Sequence, residues 1–233
     1  MLKGFNVYKI NKMTSQKNLT IIGIFLTVFL FASVTTNFFG LIDLRKTPEI
    51  SMWTSRIGFW VVVLITYLFA KNIEKKNFLL WTEQKRKPLF YLISTILILV
   101  GITILLTAIS LIERKLGVLQ NNERLKAMTE LLCNNKSLLI FTCLTAAFTE
   151  ELIFRGYLLP RLQILLNNSW ASIILSSLLF GLAHFGFSDL NRMLFPFIIG
   201  IIFSFYYYKY RSLTVLIICH FLMDFYSTYG ACK

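Results

Sequence analysis

The chain has 233 residues, of which 56% are hydrophobic and 15% are charged, and its formal net charge at pH 7 is +13. About a quarter of the residues in a soluble globular domain are charged, so this composition excludes an ordinary soluble protein. Basic residues are concentrated at the ends of apolar runs, as in Lys71–Lys87, where they would meet lipid headgroups. This distribution differs from an exposed basic face, and we therefore expect no binding to nucleic acid.

Three long apolar runs predict transmembrane helices near 19–42, 53–70 and 89–112. A run of about 18 or more apolar residues is typical of a bilayer-spanning helix, which satisfies its own backbone polar groups. The first run is too long for the apolar part of a signal peptide, and no small-residue cleavage site follows it, so we interpret it as a retained helix. The segment Glu113–Ser137 is mixed in charge and predicts a partly helical stretch at the membrane interface.

Four further helices are predicted at 138–166, 169–185, 193–209 and 212–228. Short links join them, which favours antiparallel packing of neighbours. The predicted fold is therefore an all-α polytopic membrane protein of about seven transmembrane helices, forming a single integral membrane domain. Three N-terminal helices lie within 19–112 and a four-helix core within 137–229. We expect a multi-pass protein of the cell membrane. The richness in Lys, Asn, Ile and Phe favours a bacterial plasma membrane.

The chain has 4 cysteines, Cys133, Cys143, Cys219 and Cys232, without a paired spacing such as CxxC. Cys143 and Cys219 lie inside apolar runs and are expected to be core residues. Cys232 is excluded as a prenylation site, because only Lys233 follows it.

Three polar clusters interrupt the apolar runs of the C-terminal half, and we expect them to hold the only deeply embedded ionisable residues. They contain Glu150, Glu151 and Arg155, then His184, then His220 and Asp224. A charge near the bilayer centre costs about 2.5–3.5 kcal/mol on insertion scales. Several unpaired charges would cost roughly 10 kcal/mol, which is comparable to the stability of a whole domain. Compensating partners are therefore required, and a function best explains why such groups persist.

Helical spacing predicts two of the partnerships. Glu151 and Arg155 are four residues apart with the acid nearer the N-terminus, which is the better orientation for an ion pair. His220 and Asp224 share one helix face by the same spacing.

A hairpin predicts a third partnership, between Glu150 and His184. Its turn is expected at Asn167 and Asn168; Glu150 is 17 residues before the first, and His184 is 16 residues after the second. Two antiparallel helices then bring Glu150 and His184 to the same depth. Pro160 is expected to kink the first helix and to shift this match by about a turn.

Such a site is suited to amide hydrolysis. A carboxylate beside an imidazole can activate water, and a second histidine with a polar partner can donate hydrogen bonds to an oxyanion.

The ordered motifs EExxxR, FxxxH and HxxxD resemble those of the CPBP family, also called the Abi or type II CAAX protease family. This family includes the Rce1-type prenyl proteases and many bacterial intramembrane proteases. The resemblance covers roughly Ser137–Tyr229, whereas the first three helices match only in number and character. It implies an intramembrane endopeptidase with a four-helix catalytic core.

The resemblance also implies a role for each motif residue. Glu150 would be the general base, His184 would hold the catalytic water, and His220 and Asp224 would form the oxyanion site. Rce1-type members have Asn at the position of Asp224. An ionised Asp224 would repel an oxyanion, so we expect it either to be protonated or to accept a hydrogen bond that fixes the His220 tautomer.

Glu151 and Arg155 would have a structural role or would support the catalytic residues without taking part in the reaction. An ordinary helix-stabilising ion pair is an equally good interpretation of this pair.

Zinc is the alternative cofactor. A Glu and two His plus water would make a catalytic zinc site. HExxH is absent, and the family resembles a glutamate-type protease, so we expect no metal and no other cofactor.

The expected partners are membrane lipid and a peptide or membrane-anchored protein substrate. A bacterial setting favours peptide maturation or bacteriocin self-immunity over prenylated substrates. The main rival is a non-enzymatic bacteriocin immunity protein that binds a peptide. A proton-relaying transporter is a further alternative.

Overall fold

The computed structural model describes residues 2–36, 47–115, 123–184 and 190–232, and these ranges form helices without strands. The N-terminal half contains α1 (Leu2–Thr36), α2 (Pro48–Asn72), α3 (Pro88–Lys115) and α4 (Glu123–Asn134). The C-terminal half begins with α5 (Lys136–Glu150), which continues through a π-helical segment (Glu151–Leu158) into α6 (Leu159–Leu166). It ends with α7 (Ser169–Leu182), α8 (Leu190–Tyr210) and α9 (Leu213–Gly230).

Six stretches of the described chain are long and apolar enough to cross a membrane, and α7 is a shorter apolar helix. The six are Thr14–Thr36, Pro48–Asn72, Pro88–Lys115, Lys136–Leu166, Met193–Tyr210 and Leu213–Gly230. The predicted all-α, polytopic membrane fold is therefore confirmed. The last residues of the first predicted run, 37–42, lie outside the described residues. The helix predicted within Glu113–Ser137 is present as α4.

Helix α7 is shorter than its predicted range, and it is also shorter than the hydrocarbon core of a bilayer is thick. It has 14 residues, which make a helix about 21 Å long, whereas the hydrocarbon core of a bilayer is about 30 Å thick. His184 follows directly after α7, in a turn. The short helix therefore carries a histidine into the bundle instead of to the surface.

The continuous helix Lys136–Leu166 is the centre of the fold. It is 67% buried inside the protein, whereas the windows of the other candidate spans are 11–28% buried. Aromatic rings connect it to its neighbours: Phe31 of α1 contacts Phe59 of α2 and Phe154, and Phe154 contacts Phe180 of α7. The outer helices leave large apolar side chains exposed, as expected for surfaces that face lipid.

Pro160 is accommodated by the π-helical segment, and the helix remains continuous. Proline has no N–H, and its ring would clash with the carbonyl of Gly156 four residues earlier. The wider turn relieves this clash, and the N–H of Leu159 bonds to the carbonyl of Phe154 instead. Such π-helical insertions occur frequently at functional sites.

The hairpin predicted at Asn167 and Asn168 is confirmed. Asn167 ends α6 in the left-handed conformation with φ 48°, which asparagine tolerates better than most residues. Asn168 caps α7, because its side-chain oxygen accepts a hydrogen bond from the N–H of Ala171 at 3.0 Å. Helices α6 and α7 therefore pack as antiparallel neighbours.

One disulfide bond could not be predicted from the spacing of the cysteines. Cys133, at the end of α4, forms a disulfide bond with Cys232, which is 99 residues later in the chain. The two meet because α4 packs against α5 and α9, a tertiary contact that no local spacing encodes. Cys143 and Cys219 are buried free thiols, as predicted.

A buried ion pair between Glu74 and Arg161 joins α6 to the segment after α2. The Arg161 guanidinium donates to Glu74 Oε2 at 2.7 and 2.9 Å, and Nη1 donates to the Phe78 carbonyl at 3.0 Å. Thr20 of α1 donates to Glu74 Oε1 at 2.9 Å. Burial raises the pKa of Glu74, but the hydrogen bond and charge of Arg161 outweigh it, so the pKa lies below its ordinary value.

We predict that Glu74→Gln destabilises the protein by about 3–5 kcal/mol, because it leaves the buried Arg161 without its counter-charge. A carboxylate with a depressed folded-state pKa stabilises the fold above its unfolded pKa, and this stabilisation is lost as pH falls through the folded value. Acidification should therefore destabilise the wild type more than the variant. Thermal unfolding of purified protein in detergent measures both effects. The exposed Glu130, changed to Gln, is the matched control. Equal unfolding midpoints for the two variants would contradict this account of the pair.

Candidate active site

The motif residues converge where the end of α5, the π-helical segment and α9 pack together beside the end of α7. Glu150 is the last residue of α5 and is buried. His184 follows α7 and is half-buried. His220 is buried in α9, and Asp224 lies one turn later on the same helix.

Glu150 lies between the two histidines. Its Oε2 atom is 3.9 Å from Nε2 of His184 and 3.8 Å from Nε2 of His220. Hairpin spacing alone predicted the meeting of Glu150 and His184, and the structure brings them together. Glu150 Oε2 is buried and has no hydrogen-bond partner among the described residues. One carboxylate oxygen is thus aimed at two imidazole rings without being bound by either.

The ring of His184 is oriented by the backbone of its own helix end. Nδ1 lies 2.9 Å from the carbonyl of Phe180. A carbonyl can only accept, so Nδ1 carries the proton and donates. In the neutral ring, Nε2 then has a free lone pair, and this is the nitrogen that faces Glu150.

Glu151 binds both the other histidine and the arginine of the first motif. Its Oε1 atom lies 2.8 Å from Nη1 of Arg155 and 2.8 Å from Nδ1 of His220. The predicted ion pair of Glu151 with Arg155 is therefore confirmed. Its contact with His220 was not predicted, because it joins residues 69 positions apart. Both side chains of the ion pair are fully buried, and the Arg155 guanidinium lies over the Phe180 ring at 4.3 Å.

Asp224 is not the group that fixes the His220 ring. Its Oδ2 atom lies 3.5 Å from Nε2 of His220, whereas Nδ1 is hydrogen-bonded to Glu151. Of the two alternatives expected for Asp224, fixing the His220 tautomer is wrong, because Glu151 of the π-helical segment is the acceptor for Nδ1; protonation of Asp224 stays a prediction. Asp224 is more accessible than the other motif carboxylates, with 39% of its side chain exposed.

A cavity of about 1010 Å³ leads to Asp224 between α3, α8 and α9. Its walls are mostly apolar side chains, with Thr103, Thr107, Ser110 and Arg114 of α3 among the polar exceptions. Of the motif residues, the cavity is lined by Asp224 and not by Glu150, His184 or His220.

Arg56 is an embedded ionisable residue that lies outside the three motif clusters. It belongs to α2, is half-buried, and interacts electrostatically with Glu150 and Asp224. The prediction that the clusters hold all deeply embedded ionisable groups is therefore wrong. The signal was a single cation inside the apolar run 53–70, but the sequence gives no sign of which face of α2 meets α5.

Among the described residues, no group of three or more His, Cys, Asp and Glu side chains is arranged to hold a metal ion. The expectation of a metal-free site stays a prediction, since this observation concerns only the arrangement of the side chains.

Residues 134–226 match the family model described as type II CAAX prenyl endopeptidase Rce1-like. This segment of the chain is similar to the Rce1-like family. It contains all six motif residues and excludes Arg56. Neither a curated protein nor a solved structure matches the chain. Since that family is a protease family, the segment is similar to CAAX-type intramembrane proteases. The six candidate spans indicate that the chain is a multi-pass membrane protein.

We predict that Glu151→Gln destabilises the protein more than Glu150→Gln does. Glu151 compensates the fully buried Arg155, and breaking a buried ion pair costs about 3–5 kcal/mol. Glu150 accepts no hydrogen bond at its buried Oε2 atom. The difference in thermal unfolding midpoint between the two variants in detergent is the measurement. A larger loss of stability in Glu150→Gln would show that these two neighbouring carboxylates have been assigned the wrong roles.

Proposed function

We propose that this protein is an intramembrane endopeptidase that hydrolyses a peptide bond with a water molecule activated by Glu150. The observation that carries the proposal is the position of Glu150 Oε2 within 4 Å of both histidine rings. A buried carboxylate that faces two imidazoles is a costly arrangement for a membrane protein to keep without a function.

The first step places water between Glu150 and His184. Glu150 Oε2 and the lone pair of His184 Nε2 are both hydrogen-bond acceptors, and their separation of 3.9 Å is too long for a direct hydrogen bond. A water molecule can donate one hydrogen to each acceptor, which leaves an oxygen lone pair free to attack a carbonyl carbon. Glu150 takes the proton as the water attacks, and it returns the proton to the departing amine.

The second step stabilises the oxyanion with His220. Because Nδ1 donates to Glu151, Nε2 can donate to an oxyanion only when the ring is an imidazolium. Glu150 and Asp224, which lie 3.8 and 3.5 Å from Nε2, provide the negative charge that stabilises this form. Preorganised donors of this kind are worth about 10²–10³ in kcat. Asp224 would contribute here through His220, or as a donor when it is itself protonated.

The proposed substrate is a peptide or a membrane-anchored protein whose scissile segment enters through the cavity that reaches Asp224. In a bacterial plasma membrane, the corresponding processes would be peptide maturation or bacteriocin self-immunity. No metal is needed in this mechanism, because Glu150 serves as the base. Stoichiometric zinc in the purified protein, lost together with activity on chelation, would overturn this choice.

We predict that Glu150→Gln reduces cleavage by about 10²–10⁴-fold, the usual contribution of a general base, while the protein still accumulates in the membrane. The measurement is comparative mass spectrometry of membrane and secreted peptides from cells with the variant or the wild type. A precursor peptide should accumulate in the variant. Glu130→Gln, at an exposed position of α4, is the matched control. An unchanged peptide profile with an intact immunity phenotype would instead favour the non-enzymatic, peptide-binding role.

A further inference from the structure

Helix α2 is held firmly against α5 on both sides of Arg56. One turn before Arg56, Trp53 stacks on Phe141 with ring centroids 4.9 Å apart. One turn after it, Trp60 Nε1 donates a hydrogen bond to Thr145 Oγ1 at 3.1 Å. Positions 53, 56 and 60 share one helix face, so Arg56 lies on the face of α2 that meets α5.

The side chain of Arg56 has an unpartnered buried nitrogen and interacts with the carboxylates of the candidate site. Its Nε atom is buried and makes no hydrogen bond within the described part of the chain. The guanidinium lies over the ring of Phe59 at 5.4 Å. The acidic groups with which it interacts electrostatically are Glu150 and Asp224. An arginine in this state still has hydrogen-bond donors to offer.

The charges of the site explain what Arg56 contributes. Arg155 forms a buried ion pair with Glu151 and also interacts electrostatically with Glu150, but no such interaction links it to Asp224. Glu150 and Asp224 contact only histidine nitrogens in the described ion pairs. The two carboxylates lie beside the same histidine ring and repel each other, and the buried Glu150 also loses the solvation it would have in water. A cation that interacts with both of them offsets this cost.

We propose that Arg56 is a positioning residue of the candidate site, whose charge balances Glu150 and Asp224 and offsets the repulsion between Asp224 and the oxyanion. The kinetic part of this inference rests on the proposed function, whereas the charge balance does not. Arg56 lies in α2, outside the segment that matches the Rce1-like family.

The direction of charge movement gives Arg56 its kinetic role. When Glu150 takes the proton from water, its negative charge passes to the substrate oxygen near His220 and Asp224. An ionised Asp224 opposes this step, because like charges repel at short range in a low dielectric. Arg56 interacts electrostatically with Asp224 as well as with Glu150, so its charge offsets part of the repulsion between Asp224 and the oxyanion.

A double-mutant cycle of Arg56→Gln and Asp224→Asn tests the inference, with Arg56→Lys as the charge-conserving variant. The activity-independent measurement is the thermal unfolding midpoint in detergent. We expect Arg56→Gln to lower the midpoint, Asp224→Asn to recover most of that loss in the double variant, and Arg56→Lys to retain most of the wild-type value. Arg86→Gln, at an exposed position, is the matched control and should leave the midpoint unchanged.

The kinetic measurement uses a fluorescence-quenched library of apolar peptides with purified enzyme in nanodiscs. We expect Arg56→Gln to reduce kcat by about tenfold or more with little change in KM, since the repulsion that Arg56 offsets arises as the oxyanion forms and not as the peptide binds. In the Asp224→Asn background the same change should cost much less.

The results of these experiments distinguish the proposed role of Arg56 from the proposed peptidase activity. Equal effects of Arg56→Gln on the midpoint in both backgrounds would overturn the role of Arg56, even if the wild type cleaves peptides. Coupling between the two positions without cleavage by the wild type would support the charge balance and count against the peptidase.

Discussion

The candidate site depends on the buried carboxylate of Glu151. One oxygen of this group binds Arg155 and His220, each at 2.8 Å. A fully buried arginine is tolerable in a membrane bundle only when a carboxylate compensates it. The same carboxylate fixes the imidazole of His220 and ties α9 to the π-helical segment. Within the described residues, Oε2 of the adjacent Glu150 accepts no hydrogen bond and lies close to both histidines.

Much of this arrangement could be predicted from local rules. Apolar run lengths predict the membrane-crossing helices because the thickness of a bilayer sets their length. The depth match of Glu150 and His184 follows from the regular rise of two helices on either side of the turn at Asn167 and Asn168. The ion pair of Glu151 with Arg155 follows from four-residue spacing. Each of these rules uses only positions within one helix or one hairpin.

The rest depends on how separate helices pack, which one sequence does not reveal. Spacing along α9 predicts the proximity of Asp224 to His220, which the structure shows at 3.5 Å, but it does not predict that packing against the π-helical segment presents Glu151 to Nδ1. Cys133 and Cys232 pair across 99 residues for the same reason. Arg56 lies near the site because the face of α2 that carries it packs against α5.

Nitrogen-15 NMR of histidine-labelled protein in nanodiscs tests the convergence at Glu150 most directly. The chain has only 2 histidines, so the ring signals of His184 and His220 can be assigned by single substitutions. Glu150 Oε2 lies 3.9 and 3.8 Å from the two rings, and we expect Glu150→Gln to shift the Nε2 signals of both. Glu151→Gln should shift Nδ1 of His220 and leave His184 nearly unchanged. A Glu150→Gln spectrum with unaltered His184 signals would contradict the shared site.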